Sequence, residues 1–207
     1  MLAFDFETDS GAGEGRIVVG VDEAGRGPVA GPVVAAAVWL DPEKARSGAY
    51  LGVRDSKQLC QAERRELFAI LRVEAKVAVG VAESSEIDSI NILQASLLAM
   101  RRAVAGLGLQ AASALVDGNV DPRLDCPVRT VVGGDGLCLS IAAASIVAKE
   151  TRDALMEELA ETFPGYGWER NRGYGTAEHQ AAIRRLGVTP QHRRSFRPIR
   201  EALELSL

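Results

Sequence analysis

From Val18 to Val38 the chain reads VVGVDEAGRGPVAGPVVAAAV, two apolar runs in succession with adjacent carboxylates, Asp22 and Glu23, closing the first. Runs this rich in valine and alanine belong to strands buried on both faces, and such strands need a sheet with helices packed against it. The turn-rich AGRGPVAGP between them brings the chain back, so Ile17 to Asp22 and Val33 to Leu40 are expected as neighbouring strands. Further along, Gln61 to Val73 has helical spacing, with Leu67, Ile70 and Leu71 on one face, and Lys76 to Glu83 alternates like a strand. Ser85 opens a longer helix, with Glu86 and Asp88 in its first turn and Gly106 near its end. Ala112 to Val116 and Val128 to Val132 read as two more strands. Leu139 to Thr162 is a long helix that Pro164 and Gly165 stop; a loop rich in aromatics and glycine then runs to Gly175, and helices end the chain. The fold expected is α/β, a mixed sheet with helices on both faces. Residues 1–15, glycine-rich and acidic, are expected to form a poorly ordered tail. Residues 16–207 then make one domain, ending in a small helical segment over about 176–207.

Composition narrows the class. With 207 residues, 47% apolar and 25% charged, the chain has the make-up of a globular domain rather than a disordered one. No apolar run approaches the ~18 residues of a membrane span, and the start MLAFDFETDSGAGEGR has no signal-peptide pattern, which points to the cytoplasm. Cys60, Cys126 and Cys138 are odd in number and unpaired in spacing, so free thiols are expected. A net charge of −4 weighs against a nucleic-acid partner. Against that stands the basic stretch with Arg184, Arg185, His192, Arg193, Arg194, Arg197 and Arg200, which is equally a solvated helical face.

One local pattern occurs three times. Apolar runs end in a carboxylate beside glycine at Asp22-Glu23-Ala24-Gly25, at Asp117-Gly118 and at Gly134-Asp135-Gly136. Taken singly, each is equally a turn former or a helix cap, Asp135 especially. Taken together they are a candidate cluster. Asp22 and Glu23 can share a site only if the strand bends or bulges at Glu23, because successive strand side chains face opposite ways. Gathered carboxylates repel by about 1 kcal/mol per pair at 4 Å in water and about 4 kcal/mol at an intermediate effective dielectric, so convergence calls for a cation. Oxygen-only ligands point to Mg²⁺ or Mn²⁺, and a cluster of that kind suits two-metal phosphoryl chemistry.

The segments VGVDEAGRGPVAGPVVAAAV, DSKQL, LVDGN, SIAAASIVAKETRD and NRGYGTAEH, in this order between Val18 and Phe196, together resemble the ribonuclease HII family. The resemblance implies an RNase H-like fold with Asp22, Glu23, Asp117 and Asp135 as the metal-binding carboxylates. It implies hydrolysis of the RNA strand of RNA–DNA hybrids and incision of duplex DNA 5′ to an embedded ribonucleotide, leaving 3′-hydroxyl and 5′-phosphate ends. It also implies that Gly25-Arg26-Gly27 contacts the ribose 2′-hydroxyl and that Tyr174 is a platform against the adjoining sugar. Ser56 and Lys57 resemble phosphate contacts and equally a strand-to-helix turn. Lys149 and Arg152, in helical register with Ser145, face either phosphate or solvent. Ala142, Ala143 and Ala144 suit close packing on the sheet; His179 and His192 suit surface or capping positions. Gly136 and Cys138 depart from the bulkier or more polar residues usual beside Asp135. A monomer without a membrane or known protein partner is the default expectation. Asp5 and Glu7 in FDFET mimic the first motif of 3′–5′ exonucleases, but no histidine is followed by aspartate at the spacing those enzymes need.

Overall fold

The computed structural model describes residue 2 and residues 4–204; Met1, Ala3 and residues 205–207, at the ends of the expected tail and helical segment, lie outside the described residues. Five strands form one sheet in the order β3-β2-β1-β4-β5: β1 (Val18–Ala24), β2 (Val33–Trp39), β3 (Lys76–Ala82), β4 (Ser113–Asp117) and β5 (Val128–Val131). The first three pair antiparallel, whereas β4 runs parallel to β1 and β5 parallel to β4, so the sheet is mixed as expected. The helices are α1 (Asp5–Asp9), α2 (Pro42–Ser47), α3 (Gln61–Glu74), α4 (Ser84–Gly106), α5 (Leu139–Thr162), α6 (Trp168–Asn171), α7 (Ala177–Leu186) and α8 (Arg197–Glu204). Among the described residues no helix is long and apolar enough to cross a membrane.

Alternation along β2 divides the core. Ala36, Val38 and Leu40 pack under α3 and α5, while Val33, Ala35 and Ala37 pack under α4. Both faces are covered, which is why the strand reads as an unbroken apolar run. The alanines Ala142, Ala143 and Ala144 are fully buried where α5 crosses the sheet. The approach is closest at Gly20 in β1, where a Cβ would lie 2.2 Å from the carbonyl carbon of Ser140. Helix α4 is broken at Asn91 (φ 68°, ψ 164°), whose side-chain oxygen accepts the amides of Leu93 and Gln94 and so caps the second segment internally.

One expectation changes, and two features are added to those read from the sequence. Residues 5–14 are not a loose tail: they form α1 and a short 3-10 turn, and Glu7 is fully buried with its carboxylate accepting the Ser140 amide (2.7 Å) and hydroxyl (2.6 Å). That carboxylate caps α5, whose own N-cap residue, Cys138, provides no side-chain cap. Helix α2 was not anticipated, although Asp41 caps it, Pro42 opens it and Gly48 ends it in the left-handed region. The C-terminal segment, expected as part of the one domain, is tied into its body by hydrogen bonds. His192 bridges Ala30, the Arg193 amide donates to the Val29 carbonyl at 2.9 Å, and Asp88 accepts the amides of Arg194 and Ser195.

Candidate active site

Strands β1 and β4 lie side by side and parallel, with Val21 opposite Val116, so Asp22 and Asp117 leave the same end of the sheet. Asp135 reaches that end from a single 3-10 turn (Gly134–Gly136) after β5. The turn is tied back directly, since the Gly134 amide donates to Asp117 Oδ1 at 2.7 Å. Glu23 lies within β1, and its pairing with β2 runs unbroken from Val19 to Ala24. The bend or bulge named as the condition for Asp22 and Glu23 to share a site is therefore absent, and what links the two carboxylates is Asp117, whose charge acts on both. Asp22 and Glu23 leave opposite sides of a regular strand, with the amide of Glu23 donating to Asp22 Oδ1 at 2.7 Å. Glu23 instead lines a small recess beside α4 with Arg26, Asp117 and Asn119. Among the described residues no three Asp, Glu, His or Cys side chains are gathered into a closed metal-binding group.

The carboxylates nonetheless act on one another. Burial raises the Asp22 carboxyl well above the usual carboxylate range, and the charges of Glu23, Asp117 and Asp135 push it further. Burial likewise raises Glu23, opposed by Arg26 and reinforced by Asp117. Asp117 is raised by burial and by Asp135 against the pull of the Gly134 amide. Two cations offset part of this: Lys57 Nζ lies 2.8 Å from Asp135 Oδ2 and Arg26 Nη1 3.4 Å from Glu23 Oε1. Asp22 is only 4% exposed, and its carboxylate accepts a hydrogen bond from the backbone amide of Glu23. A buried carboxylate on which the charges of Glu23, Asp117 and Asp135 all act, with oxygen the only donor type, fits an added divalent cation.

The remaining predicted residues divide. Tyr174 is half-exposed, and its ring stands so near Gly27 that a Cβ there would lie 3.4 Å from it, which brings the aromatic and the Gly25-Arg26-Gly27 turn together. Lys57 reaches the cluster through Asp135. Ser56 does not face outward as a phosphate contact would: it is buried, with its hydroxyl 2.6 Å from that of Ser145. Lys149 is tied along α5 to Asp153 at 2.6 Å. Arg152 and Arg193, read as phosphate-facing or solvated, are 2% and 0% exposed, because their guanidinium groups bond to carbonyls of the turn between β1 and β2. His179 and His192 are not at the surface either. Both are fully buried, with Nε2 atoms 3.1 Å apart, and the Trp168 indole donates to His179 at 2.9 Å. Local sequence carries no signal for these inward turns, since each depends on acceptors from distant segments.

Comparison with known proteins agrees with the fold. The family model described as ribonuclease HII matches residues 19–199. A ribonuclease HII of Paramagnetospirillum magneticum is 57% identical over 198 residues, covering 96% of each chain. One of Rhodospirillum rubrum is 59% identical over 194 residues, covering 93% of this chain and 89% of the relative. Among solved structures, the ribonuclease H2 of Pyrococcus horikoshii superposes with a TM-score of 0.76 at 29% identity, over 91% of this chain and 97% of that one.

Proposed function

This chain belongs to the ribonuclease HII family, and from that premise we propose that it cuts the RNA strand of RNA–DNA hybrids and nicks duplex DNA 5′ to an embedded ribonucleotide, leaving 3′-hydroxyl and 5′-phosphate ends. It is a metal-dependent ribonuclease H. The observation that carries the finer reading is the meeting of Asp22, Asp117 and Asp135, delivered by three separate elements to one end of the sheet with Glu23 adjoining. Asp22, Glu23 and Asp117 would hold Mg²⁺ or Mn²⁺, with Asp135 either a further ligand or the positioner of the attacking water. When bound, two such ions supply charge stabilisation at the scissile phosphate and a nucleophilic water at neutral pH.

This chain's own residues do the rest. Lys57 fixes Asp135 through its 2.8 Å ion pair, and the Gly134 amide fixes Asp117. The turn at Gly25-Arg26-Gly27 approaches the minor groove with its backbone, where glycine permits close contact with a 2′-hydroxyl. Tyr174, beside Gly27, packs against the next sugar. The exposed Arg26 adds a cation near the strand it grips. The enzyme works as a monomer in the cytoplasm.

Asp117→Asn tests the reading, because asparagine keeps the oxygen that accepts the Gly134 amide and removes only the charge. Cleavage of a duplex with one ribonucleotide should fall by at least about 10³-fold in Mg²⁺ or Mn²⁺, while hybrid binding stays within a few-fold. Turnover near the wild-type rate overturns the assignment.

A further inference from the structure

Arg193 spends its whole guanidinium on the turn between β1 and β2. Its Nε donates to the Gly31 carbonyl at 2.9 Å, Nη1 to those of Pro28 (2.7 Å) and Arg26 (3.1 Å), and Nη2 to those of Gly25 (2.6 Å) and Pro32 (3.1 Å). Arg152, from α5, adds bonds to Pro32 (3.0 Å) and Ala30 (3.3 Å). All seven bonds end on neutral carbonyls, none on a carboxylate. Burial, and the charge of Arg152 nearby, pull the Arg193 guanidinium down to about 9, so it remains charged at neutral pH. Two buried like charges, reached by Asp153 and Asp88 only through space and not through a hydrogen bond, are a costly way to fill space, and apolar side chains would do so more cheaply. What apolar side chains lack is a planar fork able to satisfy five converging carbonyls at once.

The consequence shows in the other half of each peptide. With its carbonyls drawn inward, the turn leaves the amides of Gly25, Arg26 and Gly27 without a protein acceptor among the described residues. The amides of Val29 and Ala30 donate instead to Gly173, next to Tyr174, at 2.9 and 3.3 Å. Gly25 sits at φ +100°, where a Cβ would fall 2.0 Å from Arg152 Nε. We propose that Arg193 is a positioning residue, with Arg152 as second anchor, that holds residues 25–32 so that the Gly25–Gly27 amides stay aimed at the ribose-containing strand. The inference deepens the proposed function and rests on it.

Arg193→Lys keeps the charge but presents its donors from one point, which cannot reach five carbonyls. Three measurements compare it with wild type: binding of an RNA–DNA hybrid in EDTA, binding of the all-DNA duplex of the same sequence, and the rate of tryptic cutting after Arg26. The expected result is hybrid binding weakened about tenfold, all-DNA binding changed by less than about twofold, and tryptic cutting about tenfold faster. Unchanged hybrid binding and unchanged cutting overturn the proposal. A wild type that fails to distinguish hybrid from DNA overturns the functional reading, while the tryptic comparison still decides the anchoring. Should the variant not fold, NMR of the wild type decides: the Arg193 Nε–H should exchange slowly and shift on hybrid addition together with the Gly25–Gly27 amides. Exchange as fast as at exposed Arg26 overturns the anchoring.

Discussion

Gly20 shows how far one residue governs the site. Its missing Cβ lets the first turn of α5 lie directly on β1, two residues before Asp22, and the atoms a methyl would meet are backbone that cannot rotate away. Gly20→Ala should cost about 2–3 kcal/mol, a melting temperature lower by roughly 6–9 °C, checked by thermal denaturation. A change under 1 °C would mean that the helix slides freely over the strand. Asp117 presents the opposite case, since it is strained by its neighbours rather than supported by them. Without divalent ions Asp117→Asn should melt at or above the wild-type temperature, because it removes one charge from a mutually repelling group. Adding Mg²⁺ should then raise the wild-type melting temperature more than that of the variant, as calorimetry with and without the ion would reveal.

Among the elements, α1 and the buried histidine pair have roles that their sequences conceal. Helix α1 spans only Asp5–Asp9, yet Glu7 satisfies donors at the start of α5 from 133 residues away. Glu7→Ala should destabilise by about 1–2 kcal/mol, or roughly 3–6 °C, and removal of residues 1–15 by at least as much, both measured by thermal melts. The histidines tie the Tyr174 loop to the C-terminal segment. His179 Nδ1 donates to the Tyr174 carbonyl at 2.9 Å, its Nε2 accepts from His192, and His192 Nδ1 accepts the Thr189 amide at 3.0 Å. Both rings are neutral in this arrangement. Burial, then the neighbouring His179, pull His192 down to about 4. An unfolded histidine titrates near 6.5, so between these values the unfolded chain binds more protons. Stability is therefore full above about pH 6.5 and is lost as pH falls toward 4, by at most about 3 kcal/mol from this residue. Melting temperatures taken from pH 7 to 5 should decline, and His192→Gln should flatten the decline; an equal slope in both proteins would remove the histidine from the account.

For the whole molecule, the division between what could be read and what could not follows from the range of the forces involved. Strand, helix and turn patterns depend on residues a few positions apart, so the five strands, the long helices and the convergence of acidic strand ends were legible in the sequence. Helix α2 has its own local signals too, in Asp41, Pro42 and Gly48. Resemblance of five motifs in order supplied the family, although a net charge of −4 weighed against a nucleic-acid partner. Whether a polar side chain turns inward is another matter, because that depends on acceptors brought near by the fold. Arg193 and the Gly25 carbonyl are separated by 168 residues, Glu7 and Ser140 by 133, and Ser56 and Ser145 by 89. Nothing near Arg193 distinguishes it from its exposed neighbour Arg194, and only the closed structure buries one and exposes the other. The sequence alone therefore determined the sheet, its helices and the acidic ends of its strands, through short-range pattern. Tertiary contact decided which charges became internal scaffolding, because a buried charge is tolerated only where distant backbone converges to satisfy it.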